Sequence, residues 1–157
     1  MVSTSDRSSA SHRSLSYADR LASTWQEFLL LVGRVMLGWI FLQSGYNKLF
    51  DIAGVAATYP RRGLAPWLAY LAVPVEFLGG LFLIVGLATR YTALVLVVFV
   101  IVASFSSHAY WTVPDAQRAN QSSHFWKNIT IIGGLVMLFV TSAGRLSLDR
   151  LLSRRQG

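Results

Sequence analysis

The apolar residues of this chain fall in four long runs, at about 28–50, 66–88, 91–107 and 126–143, with shorter polar stretches between them. A bilayer core of about 30 Å is crossed by roughly 20 mostly apolar residues in a helix, so each run predicts a membrane span. The third run is rich in Val and Ile and could suit a buried strand, but its length decides for a helix. Residues 51–65 hold Asp51, Gly54, Pro60 and Gly63 and read as a loop. The turn at 89–90 is so short that the second and third spans must lie antiparallel and adjacent. Residues 108–125 read as the longest loop, and their His108, Tyr110, Trp111, His124 and Phe125 suit a membrane interface. The expected fold is all-α, an integral membrane four-helix bundle over 27–145, with a flexible tail at 1–26 and a basic tail at 146–157.

Four spans bring both termini to one side. Outside the spans, eight Arg and Lys fall in the two tails and the 89–90 turn, against three in the other two loops. Basic residues concentrate on the cytoplasmic side, so both termini are expected to be cytoplasmic. The Ser-rich start has no apolar core of the kind a secretory signal needs, and Asp6, Asp19 and Glu27 speak against an organellar transit sequence.

Composition agrees with a membrane location. The chain is 54% hydrophobic, with mean hydropathy +0.48 and 13% charged residues. Its 14 Lys and Arg against 7 Asp and Glu would suggest nucleic acid in a soluble protein. Here the arginines flank apolar runs, so the expected partner is the lipid bilayer and no nucleic acid. The absence of cysteine excludes thiolate metal sites, disulfide exchange and haem attached through Cys.

One residue organises the candidate chemistry. Between 67 and 88 the single side chain charged at neutral pH in water is Glu76, and such a group inside a membrane faces a bundle interior with a partner. Side chains lean toward the N-terminus of their helix, so Glu76 on the second span and Lys48 on the first lean toward each other. Gln43 is expected to donate to the same carboxylate. Asn47, His108, Lys127 and Asn128 fall in the same half of the membrane, with His108, Lys127 and Asn128 at the mouth of a polar pocket. Arg34 lies near the opposite face and is expected to contact lipid headgroups or another helix. His108 and His124 lack the tight spacing of metal ligands, so no metal is expected. The Leu78-Gly79-Gly80-Leu81 and Ile132-Gly133-Gly134-Leu135 segments echo one another on two helices running the same way.

Several motifs, in this order, resemble the DoxX family of small bacterial inner-membrane proteins. They are Gly33-Arg34, Gly45-Tyr46-Asn47-Lys48-Leu49, Glu76-Phe77-Leu78-Gly79-Gly80, Gly86-Leu87-Ala88-Thr89-Arg90, His108, Trp111-Thr112, Phe125-Trp126-Lys127-Asn128, Gly133-Gly134-Leu135 and Ser147-Leu148-Asp149. The resemblance implies a four-helix bundle in the bacterial inner membrane. It also raises a quinone, or another lipid-soluble redox molecule, for the pocket at Glu76. No flavin, haem or iron–sulfur motif is recognisable in the chain, so electrons would have to come from an oxidoreductase partner subunit. Two other readings stay open: a non-catalytic scaffold or anchor, in which the Glu76 pair sets helix register and the basic tails recruit a partner enzyme or anionic lipid, and a small transporter, which would need a homo-oligomer to form a path.

Overall fold

The structure, a computed structural model, describes the backbone over residues 4–154 and the side chains over 17–154. The ends of the two tails, Arg155 among them, and the side chains of Arg7 and Arg13 lie outside the described residues. Among the described residues six α-helices follow in order: α1 (Thr4–Leu49), α2 (Ile52–Thr58), α3 (Ala69–Val85), α4 (Thr89–Ser107), α5 (Asp115–Thr141) and α6 (Leu148–Ser153). Among the described residues four helical segments are long and apolar enough to cross a membrane, Tyr17–Leu49, Pro66–Val85, Thr89–Ser107 and Asp115–Thr141. The chain is thus an all-α membrane bundle.

The helix α1 packs on α3 and α5, and α4 packs on the same two. The four long helices therefore succeed one another around the bundle as α1, α3, α4, α5. Consecutive spans are antiparallel, so both chain ends meet at one end of the bundle, the tail end. Phe41, Leu83, Leu96, Val100, Leu135 and Leu138 form the main core between them.

Helical structure extends beyond the apolar runs. The segment read as a flexible tail is helical from Thr4, because no Gly or Pro interrupts it before Gly33. The start of α5 lies at Asp115, inside the segment read as a loop. Pro114 precedes it, Asp115 sits in its first turn where the helix dipole favours a negative charge, and Asp115 pairs with Arg118 at 2.8 Å. Between α1 and α3, the other expected loop contains α2, whose N-terminus is capped by Asp51 accepting from Gly54 N at 2.8 Å. Ala56, Tyr59 and Ala69 make a second small core there. The α3–α4 turn is at 86–88, where Gly86 takes a left-handed conformation (φ 70°) and closes α3 by bonding to Phe82 O.

Glycines bring α1 and α3 together. A Cβ on Gly38 would stand 2.7 Å from Gly80 O, one on Gly45 would stand 2.5 Å from Phe77 N, and one on Gly80 would fall on Leu42 N. Such small-residue contacts drive helix association in lipid, where apolar burial contributes little. The echo at Gly133-Gly134 is not used in the same way: Gly133 faces open space and Gly134 meets only the Leu37 side chain. Gly80→Ala must spread α1 from α3, because the obstruction is backbone, and is expected to cost about 1–3 kcal/mol. Gly133→Ala is expected to be neutral in the same thermal-unfolding measurement; equal losses at both positions would contradict this packing.

Candidate functional site

At the end opposite the tails, the helices splay around a cavity of 850 Å³. Its depth is apolar, with Ile40 and Phe41 from α1, Phe99 and Val100 from α4 and Ile131 from α5. Toward the open end the lining becomes polar: Ser44, Lys48, Tyr59, Arg62, Glu76, Ser107, His108, Gln121, Lys127 and Asn128. The segment holding α2 and the turn after it packs over one side and contributes Tyr59 and Arg62.

Glu76 lies two turns into α3, with its side chain 8% exposed, and its Oε2 accepts from Lys48 Nζ at 2.6 Å. Lys48 is more open, at 38%. On α1, Ser44 and Phe41 share its face because they precede it by four and seven residues, close to whole turns. Gln43 precedes Lys48 by five residues and Asn47 by one, roughly 140° and 100° away around the helix axis. Both are exposed and outside the cavity lining. The expected bond from Gln43 to Glu76 is therefore absent, and Asn47 does not join the polar cluster.

His108, Lys127 and Asn128 do line the cavity. The His108 and His124 rings stack with centroids 5.0 Å apart. Lys127 Nζ donates to His124 Nδ1 at 3.2 Å, which requires a lone pair on that nitrogen, while His108 Nδ1 donates to Gln121 Oε1 at 2.9 Å. Among the described residues no three His, Asp or Glu side chains gather to hold a metal ion.

Tyr59 and Arg62 join the site from a segment whose turn residues give it the look of an ordinary loop in the sequence. Tyr59 is almost fully buried, and burial pushes its phenol above the usual range; Arg62 opposes that shift and Glu76 reinforces it. Tyr59 thus stays a neutral hydrogen-bond donor on the cavity wall. Arg62 Nη1 donates to Ser107 Oγ at 3.1 Å and lies over the Tyr59 ring, tying the α2 segment to the end of α4. A signal was available in Tyr59-Pro60-Arg61-Arg62, an aromatic and two cations beside a span.

Arg34 belongs to the other end of the bundle. It is 2% exposed and does not reach for headgroups. Its guanidinium donates to Ala143 O, to Leu146 O at 2.7 Å and to Ile84 O at 3.4 Å. Beside it, Asp149 caps α4 by accepting from Ala88 N at 2.6 Å and Thr89 N at 2.9 Å. Glu27 accepts from Arg145 N. The described part of the basic tail, through Arg154, is thus tucked under the bundle, by contacts among residues far apart in sequence.

Residues 29–109 match the DoxX family, over half of the chain and inclusive of Arg34, Lys48, Glu76 and His108. The chain belongs to the DoxX family. It is 33% identical over 126 residues to the inner membrane protein YqjF of Escherichia coli (strain K12), covering 80% of this chain and 93% of that protein. The inner membrane protein YphA of the same organism is 29% identical over 124 residues, 78% of this chain and 89% of its own length. A more distant likeness, 22% over 122 residues, is to the ER-derived vesicles protein ERV29 of Saccharomyces cerevisiae (strain ATCC 204508 / S288c), of which it covers 33%. No solved structure matches the chain. Its four spans and its relatives make this DoxX-family chain a multi-pass protein of the bacterial inner membrane.

Proposed function

We propose that this DoxX-family protein is a membrane subunit of a quinone-linked oxidoreductase system, and that a quinone headgroup binds in the cavity lined by Lys48 and Glu76. The observation carrying this reading is a part-buried ion pair, its carboxylate buried and its ammonium half-open, at the boundary between an apolar depth and a polar rim. At 850 Å³ the cavity falls in the roughly 300–1,000 Å³ range of small-molecule sites. The donor set fits a carbonyl-bearing ring: the Lys48 ammonium and the Asn128 amide can donate, Glu76 can accept, and Phe41 and Phe99 offer apolar surface. A bound quinone would supply two-electron, two-proton chemistry, with electrons delivered by a partner oxidoreductase subunit. Lys48 would orient the headgroup, and Glu76 would hold or pass a proton. By the distribution of basic residues, both termini face the cytoplasm and the cavity opens on the outer side.

A purely structural role for the ion pair is less well supported, since the close approach of Gly38, Gly45 and Gly80 already sets the α1–α3 register. Quinone extracted from protein purified in mild detergent tests the proposal. Wild type is expected to retain quinone well above an unrelated membrane protein, and Lys48→Met to retain about tenfold less, as expected for one charged hydrogen bond. A wild-type protein holding no more quinone than the control would end this reading.

A further inference from the structure

Two residues that line the cavity are also exposed, and each stands two positions, about 160° around its helix, from a buried core residue, Ala69 or Val100, so each faces away from the core. Leu71 on α3 is 58% exposed and Val102 on α4 is 51% exposed. A side chain that belongs both to a cavity wall and to the lipid-facing surface marks a gap in that wall. Residue 71 lies 15 positions before Gly86, and residue 102 lies 14 positions after Ala88. The two helices are antiparallel across that turn, so these residues stand at the same depth, about 22 Å from it at 1.5 Å per residue. That is within a hydrocarbon core of about 30 Å.

The sequence explains why the helices part there. Near the turn α3 and α4 are in close contact: Leu83 and Leu96 are fully buried, and Leu96 lies against Gly79. Toward the cavity the lining includes small residues on both helices, Ala72 on α3 and Ala103 and Ser106 on α4, with Ala72 and Ala103 at similar distances from the turn. Small side chains between diverging helices leave a slot. The other opening, at the end of the bundle, is rimmed by Arg62, His108 and Lys127, a poor route for an apolar chain.

We infer that the cavity is reached sideways from the membrane through this α3–α4 slot, and that its occupant carries a long apolar tail lying in the slot. This inference rests on the reading that a quinone headgroup occupies the cavity, and it specifies the class as a long-tailed isoprenoid quinone. Glu76 is five residues along α3 from Leu71, about 7.5 Å, so a ring at the Lys48–Glu76 pair leaves its tail at the slot. A methylene is more stable among apolar groups than in water, which favours this exit over the charged rim.

The absence of cysteine makes the test clean. Val102→Cys or Leu71→Cys supplies a single thiol that is modified with a bulky aromatic reagent after folding and purification, so the plug cannot disturb folding. Leu94→Cys, equally lipid-facing on α4 but away from the cavity, is the control. Binding is measured for a dimethoxy-methyl-benzoquinone headgroup without a tail and for the same headgroup carrying a long isoprenoid tail. The plug at either slot position is expected to weaken the long-tailed quinone at least tenfold, leave the tail-free headgroup unchanged, and have no effect at position 94. Unchanged binding of the long-tailed quinone after plugging overturns the slot while leaving the quinone reading intact. If unplugged protein binds neither molecule, the quinone reading falls and the slot's occupant with it.

Discussion

Arg34→Met is expected to be the most damaging single substitution at the tail end, costing about 3–5 kcal/mol because several buried carbonyls lose one charged donor together. The guanidinium is 2% exposed and serves carbonyls of Ala143, Leu146 and Ile84. Methionine fills much of its volume but donates to none of them, leaving acceptors without a partner in a site that excludes water. Arg34→Lys is expected to recover only part of the loss, because one ammonium cannot span acceptors that the planar fork reaches together. Thermal unfolding in detergent should show a fall on the order of 10 °C for the methionine variant. Limited proteolysis should cut sooner after Ala143, since the segment leading to α6 loses its tether. An unchanged melting temperature together with an unchanged cleavage rate would show that Arg34 holds nothing.

The second large effect is expected at the Lys48–Glu76 pair. Lys48→Met leaves a carboxylate that is 8% exposed without its cation. Breaking a buried pair from one side costs roughly 3–5 kcal/mol, and the 38% exposure of Lys48 brings the expected loss toward about 2–3 kcal/mol through solvent screening. Changing both residues, Lys48→Met with Glu76→Met, removes the stranded charge and is expected to restore most of the stability. The cycle should therefore show a coupling of about 2 kcal/mol. Quinone retention should stay low in the double variant even as stability returns, which separates a binding role from a register pin. Additive losses would mean that the pair is not coupled, and full quinone retention in the double variant would assign it to structure alone.

Some of these features are legible in the sequence. Glu76 was conspicuous because it interrupts an apolar run, and Lys48 was its expected neighbour because helical side chains lean toward their N-termini; the two stand 2.6 Å apart. Gln43 failed on a matter of angle. It has the right depth and chemistry, but five residues is not close to a whole number of helical turns, and it ends on the outer face. Tyr59 and Arg62 were hidden by the turn residues around them, which looked like a plain loop and in fact bound a capped helix.

The order of residues along the chain determined the four spans, the antiparallel hairpins and the polar half in which the candidate residues gather, because each follows from local hydropathy and length. Only the tertiary structure decided that Arg34 is a buried tie rather than a headgroup contact, and that Asp149 caps α4 from 60 residues away. Those outcomes depend on which backbone carbonyls and side chains meet across the bundle. Hydropathy measures how well a residue suits lipid or water, and it holds no information about which distant partner satisfies it.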